Sequence, residues 1–295
     1  MKHAARRAVI IYAIGFFLSA FPRFDMHTVR FAGVLARIAV VYLICSAIVL
    51  YTGKRAWCTI TAVLLVGYWV LMTRVPGFDL TPDGNLAAFV DKKIMYEHLW
   101  VKHQWDPEGL LSTLPAIATC LLGVFAGVWL KLSPWKNKAG KIWGTPGQKA
   151  AGMFLAGVVG MCGGKLWDAI FPINKNLWTS SFVLLSGGIA AQVLALCHWL
   201  LDVRGWRGCS APFAAFGRNA LIAYFLSVGL DALLLRWTVS DGAPLKAIVY
   251  RNAFARWLAP CCGAETASLA YAIIYVALWA VVLMEMRRRR MFIGI

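Results

Sequence analysis

The sequence predicts an all-α protein, a polytopic bundle of about eight transmembrane helices with both termini in the cytoplasm. Three observations carry that expectation. Of 295 residues, 60% are hydrophobic and only 15% charged. The apolar residues come in long blocks, several of them near the roughly 20 residues a helix needs to cross a bilayer, and not at amphipathic spacing. Over half of the 30 Lys and Arg residues fall in the short connections and the tail that would share one side, and the positive-inside rule assigns that side to the cytoplasm. The net charge of +17 therefore reports topology and gives no ground for nucleic-acid binding, because no soluble face collects it. The expected partner is a lipid bilayer.

Met1 to Phe24 has a basic start and an apolar centre, the outline of a signal peptide, but its aromatic-rich end and Pro22 fit cleavage poorly. Either way residue 25 is placed outside. The predicted spans are Ala8 to Phe21, Phe31 to Tyr51, Ala56 to Thr73, Leu110 to Leu132, Ala150 to Leu166, Trp178 to Leu201, Pro212 to Leu235 and Ala267 to Met286. The inner connections then hold Lys54 and Arg55, the five lysines at 131, 136, 138, 141 and 149, and Arg204 and Arg207. Two long connections, Arg74 to Gly109 and Arg236 to Thr266, lie outside. No internal repeat, low-complexity tract or soluble segment interrupts the pattern, so residues 1–295 are read as one membrane-embedded domain. Eight cysteines show no metal-ligand spacing, and no metal or disulfide framework is expected; the vicinal pair Cys261-Cys262 has no assigned role.

Charges in or beside apolar blocks are the informative residues, since hydrocarbon excludes them unless they face a cavity or a partner. The stretch Trp105 to Pro115 reads as the start of the fourth span, with Asp106 as N-cap, Pro107 in the first helical position and Glu108 where the helix dipole favours an anion. Arg30 and Arg37, seven apart, are expected on one helix face with Gly33 and Val34. Arg37 either pairs with an acid such as Asp106 or Glu108, or lines a cavity and binds substrate anions. A second outer cluster runs from Lys165 to Ser181. There Asn174, Lys175, Thr179, Ser180 and Ser181 suit either helix capping or a polyhydroxyl ligand, and Trp178 suits interfacial anchoring or sugar stacking. On the inner side, Arg218 and Asn219 sit two turns into the seventh span.

Four segments, FAGVLARI at 31–38, WDPEGLLSTLPAIAT at 105–119, FPINKNLWTSS at 171–181 and FGRNALIAY at 216–224, together resemble the heparan-alpha-glucosaminide N-acetyltransferase-like family of membrane acyltransferases, in the same order and with similar spacing. The resemblance implies transfer of an acetyl group from cytoplasmic acetyl-CoA, as co-substrate, to an amino sugar or glycan acceptor on the far side of the membrane. It also implies an integral membrane location, expected to be a bacterial inner membrane, and leaves a homo-oligomer open.

Members of that family begin with two further spans, joined by an outer loop that holds the histidine to which catalysis is attributed. The present chain starts at what resembles their third span. His27, His98 and His103 fall outside and His3 and His198 towards the inside, and none stands in that motif. The catalytic role is therefore carried onto no histidine. Asp106 and Glu108 are expected in supporting roles, as a base or as groups that orient one. Arg30, Arg37, Asn174, Lys175, Trp178 and Ser180 are expected to meet the acceptor. Arg218, Asn219, Lys131 and Lys149 are expected to meet the phosphates of the donor. A transporter or flippase of an anionic or sugar substrate, or a non-catalytic remnant of the acyltransferase, is the alternative reading.

Overall fold

The computed structural model describes residues 1–22, 24–101, 104–136, 142–208, 210–238 and 242–291. His103, Cys209, Lys138 and Lys141, which enter the sequence expectations, lie outside these. The helices are α1 (Lys2–Ala20), α2 (Val34–Tyr51), α3 (Lys54–Arg74), α4 (Leu86–Met95), α5 (Thr113–Lys131), α6 (Pro146–Asp168), α7 (Ser180–His198), α8 (Ser210–Arg218), α9 (Ala220–Arg236), α10 (Leu245–Tyr250), α11 (Arg256–Cys262) and α12 (Ala264–Arg288). A π-helical turn, Trp199–Val203, extends α7. A two-residue antiparallel pair, Trp135–Lys136 with Ile142–Trp143, closes the turn after α5.

Among the described residues six helices are long and apolar enough to cross a membrane: α2, α3, α5, α6, α7 with its π turn, and α12. The pair α8 and α9 makes a seventh if taken as one broken span, bent by 82°. The predicted seventh span is thus interrupted, and Arg218 and Asn219 mark its break instead of lying inside a continuous helix. Asn219 is 1% exposed, and its amide reaches the carbonyl of Met291 at 3.5 Å; a short amide side chain that bonds backbone competes with helix continuity. Large apolar side chains such as Val63, Leu155, Val159, Leu196, Ile273 and Val276 are exposed along the long helices. Only hydrocarbon makes such faces favourable, and the chain is an integral membrane protein.

The chain divides into two compact units, residues 1–19 with 25–206, and residues 20–24 with 207–295. In the first, α6 and α7 pack closest, because glycines let the backbones meet. A methyl group at Gly164 would lie 2.6 Å from the Leu185 nitrogen, and one at Gly188 would lie 2.6 Å from the Gly157 oxygen, the small-residue packing typical of membrane helices. Val41 and Cys45 of α2 pack on Ala116, Ile117 and Leu121 of α5. Tyr68 and Met72 of α3 pack with Ala87 of α4 and with Phe171 and Leu177 from the α6–α7 turn. The Tyr68 hydroxyl donates to the Leu177 carbonyl at 2.6 Å. That cluster brings two distant connections to one end of the first unit. In the second unit Ala215 and Ala223 pack on Leu283 of α12, and Tyr275 donates to the Ser227 carbonyl at 2.8 Å.

Candidate functional site

The loop before α5 is built differently from the expected cap. The helix begins at Thr113, and Asp106 to Ser112 form turns instead. Asp106 accepts from Arg30 Nε at 2.7 Å, from Arg30 Nη2, from the Trp100 backbone nitrogen at 3.0 Å and from the Glu108 nitrogen at 2.8 Å. Arg30 Nη2 also pairs with Glu108. The guanidinium lies over Trp100, 4.8 Å from the ring centroid. A forked, charge-assisted pair outcompetes the single bond a cap would offer. Burial opposes the charge of Arg30, but the two carboxylates outweigh it and hold its pKa above the ordinary value. Both oxygens of Asp106 are thereby spent on protein donors.

Arg30 precedes α2, so it shares no helix face with Arg37, which sits in the first turn of that helix. Arg37 makes no ion pair with Asp106 or Glu108. Its Nη2 donates to the Pro107 carbonyl at 2.9 Å, to the Gly109 carbonyl at 3.4 Å and to Ser112 Oγ. Its Nε and Nη1 are buried with no hydrogen-bond partner among the described residues. Its guanidinium lies 5.1 Å from the Trp178 ring centroid. Trp178 holds a left-handed backbone, φ +54°, which is rare for a bulky residue and costs about 1–3 kcal/mol. It donates from Nε1 to Thr119 Oγ1 at 3.1 Å and packs against the α2–α5 core. The indole is therefore packed between helices.

The second predicted cluster separates into three parts. Asn174 stays in the turn, where its Oδ1 accepts from the Asn176 nitrogen at 2.8 Å. Lys175 is exposed. Ser180 is fully buried and donates to the Leu65 carbonyl at 2.6 Å, so its hydroxyl holds α7 to α3. Arg30, Arg37, Asp106 and Glu108 are joined through the loop before α5. Asn174 meets Asp106 across a cavity of about 40 Å³, whose lining includes Asn85, Asp91, Trp105 and Ser112.

Asp91, on α4, was absent from the sequence expectations. It is 1% exposed. Its Oδ1 accepts from the Leu110 nitrogen at 2.9 Å, and no described residue bonds its Oδ2. Burial pushes its pKa up to about 6, against the Leu110 bond and Arg37, with the charge of Asp106 adding to the rise. A sequence signal existed: Ala87, Ala88, Asp91 and Met95, all buried, recur at helical spacing, which puts the acid on the apolar face.

A second cavity, about 650 Å³ and largely apolar, opens among α5, α6 and α7; Thr119, Gly123, Trp129, Gly160 and Gly188 line it, with Lys54 at its edge. Lys149 donates to the Leu130 carbonyl at 2.8 Å, so that ammonium serves the α5–α6 junction, while Lys131 is exposed. Arg218 is exposed at the end of α8, in the second unit. Of the histidines, His98 has Nδ1 2.6 Å from the Val29 carbonyl and its ring against Phe31, and His198 bonds Asp202 at 2.7 Å.

The chain is similar to two characterised proteins. It is 26% identical over 288 residues to the heparan-alpha-glucosaminide N-acetyltransferase of Mus musculus, covering 78% of this chain and 42% of that protein. It is 24% identical over 317 residues to the Homo sapiens protein of the same name, covering 90% of this chain and 44% of that protein. The chain thus spans less than half the length of these relatives, and its relationship to them is distant. No family model matches it.

Proposed function

We propose that this protein is an acyltransferase that moves an acetyl group from acetyl-CoA to the amine of an amino sugar, with donor and acceptor entering from opposite sides of the membrane. The observation that carries this reading is the chain of contacts that links the two cavities. Thr119 lines the large apolar cavity and bonds Trp178; Trp178 covers Arg37; Arg37 bonds Ser112, which lines the small cavity. In that chain stands one buried guanidinium whose Nε and Nη1 no described residue uses.

Acyl transfer to an amine needs donors where the tetrahedral oxyanion forms, and donors in a dry site act most strongly. Nε and Nη1 of Arg37 fit that need. The thioester arm occupies the large cavity, and Lys54 and Lys131 attract the phosphates at the cytoplasmic end. Arg218 and Asn219, in the second unit, are assigned to the donor only by their expected place on the inner side. Asp106, Glu108 and Arg30 hold the loop that presents Ser112 and the Pro107 carbonyl to Arg37. Asn174 borders the acceptor. A bacterial inner membrane and a cytoplasmic acetyl-CoA pool fit the basic connections.

The test is purified protein in sealed proteoliposomes, with acetyl-labelled CoA on one side and glucosamine on the other. Label appearing on the sugar supports the reading. Movement of unmodified sugar without label transfer supports a carrier and overturns it.

A further inference from the structure

Asp91 is the acid that the loop architecture leaves over. Asp106 and Glu108 share Arg30, whereas no Lys or Arg among the described residues pairs with Asp91. Its surroundings hold it in place: Oδ1 is fixed by the Leu110 nitrogen, and Gly109 presses so close that a methyl group there would lie 1.8 Å from Oδ2. Its other charged or titratable neighbours are Asp106 and Arg37, with Tyr68 on α3. A carboxylate so buried keeps its charge only at a cost unless a cation joins it. The residue lines the small cavity, and its Oδ2 has no hydrogen-bond donor among the described residues.

That cavity, about 40 Å³, has room for roughly three water-sized groups. It accommodates an ammonium head and a solvating group, while a sugar ring must stay outside it. Asp106 in its lining is already spent on Arg30 and on backbone nitrogens, so Asp91 is the carboxylate that favours a cation there.

We propose that Asp91 binds the protonated primary amine of the acceptor through Oδ2 and takes its proton, which makes it the base of the reaction. This rests on the acyltransferase reading above. In the balanced step, the ammonium gives one proton to the Asp91 carboxylate and regains a lone pair. The nitrogen forms the C–N bond at the acyl carbon, and the carbonyl oxygen carries the charge against Arg37. The C–S bond then breaks, the departing thiolate takes the proton that the new amide nitrogen sheds, and Asp91 returns its own proton to water. The products are the N-acetyl sugar, free CoA thiol and one proton. Burial that lifts the carboxyl towards neutral pH brings it nearer the working range of a general base.

The experiment compares wild type with Asp91→Asn, full chain in proteoliposomes, using glucosamine and acetyl-CoA. The variant keeps the oxygen that accepts from Leu110. Its kcat is expected to fall by about 100-fold or more, with KM for acetyl-CoA unchanged, and the acid limb of kcat/KM for glucosamine near pH 6 is expected to vanish. Wild-type kcat with the limb intact overturns the proposal. If wild type transfers no label at any pH, the acyltransferase reading fails, and thermal protection then decides the amine site by itself. Protection by glucosamine and not by N-acetylglucosamine, lost in the variant, supports it; equal protection of both proteins overturns it. If the variant does not fold, the wild type suffices: glucosamine protection that disappears below about pH 6 supports the site, and protection unchanged down to pH 5 overturns it.

Discussion

Gly109 and Asp91 occupy one space: a Cβ on Gly109 would lie 1.8 Å from Oδ2 of Asp91 and 2.6 Å from its Cγ. Two connections far apart in the chain are thereby keyed together, the helix α4 and the loop that enters α5. The contact is between a backbone and a buried carboxylate that is itself held by Leu110, so neither side yields easily.

Gly109→Ala is therefore expected to destabilise the fold by about 1–3 kcal/mol, the usual cost of overpacking. Unfolding in detergent measures it. The same substitution in an Asp91→Ala background should cost markedly less, since the clash is gone; equal costs in both backgrounds would show that the two residues are not coupled.

The carboxyl of Asp91 titrates near 6 when folded, against an ordinary value of 3.8. A raised carboxyl favours the fold fully below about pH 4, and that contribution is lost as pH rises through 6, because ionisation is then easier in the unfolded chain. The difference amounts to about 3 kcal/mol. Asp91→Asn should accordingly be more stable than wild type at pH 7, by up to that amount, and equal to it at pH 4. A stability gap that is the same at both pH values contradicts the assignment.

Arg37→Leu is expected to lower acetyl transfer by about 100- to 1000-fold, as for loss of an oxyanion donor, while the protein still folds, because a buried cation without a paired acid contributes little to stability. Arg37→Lys should not restore the rate, since a lysine lacks the planar fork. Circular dichroism and transfer rates, measured together, check both; a variant that unfolds marks Arg37 as structural.

Gly123 lines the large cavity, and a Cβ there meets nothing within 4 Å. Gly123→Phe should fill the space without strain. Thermal protection by CoA, about 2.7 kcal/mol at a hundredfold excess over Kd, should disappear in this variant while its unliganded stability stays at the wild-type level. Undiminished protection would place the donor elsewhere.

The all-helical membrane class was legible because it rests on composition and block length, which hydrocarbon imposes on any spanning helix. That Arg30, Arg37, Asp106 and Glu108 need partners was legible too, because charges beside apolar blocks need them wherever they lie. Who pairs with whom was not. Spacing alone put both arginines on one helix and Asp106 on a helix start, whereas Arg30 leaves the helix to clamp two acids and Arg37 bonds carbonyls and a serine. Ser180 looked like a ligand group and is spent on the Leu65 carbonyl. Asp91, which no sequence expectation named, is 1% exposed. Partition between water and lipid acts on each segment separately, so one sequence determines it. Hydrogen-bond partners and desolvation depend on which segments meet, and only the tertiary structure decided that.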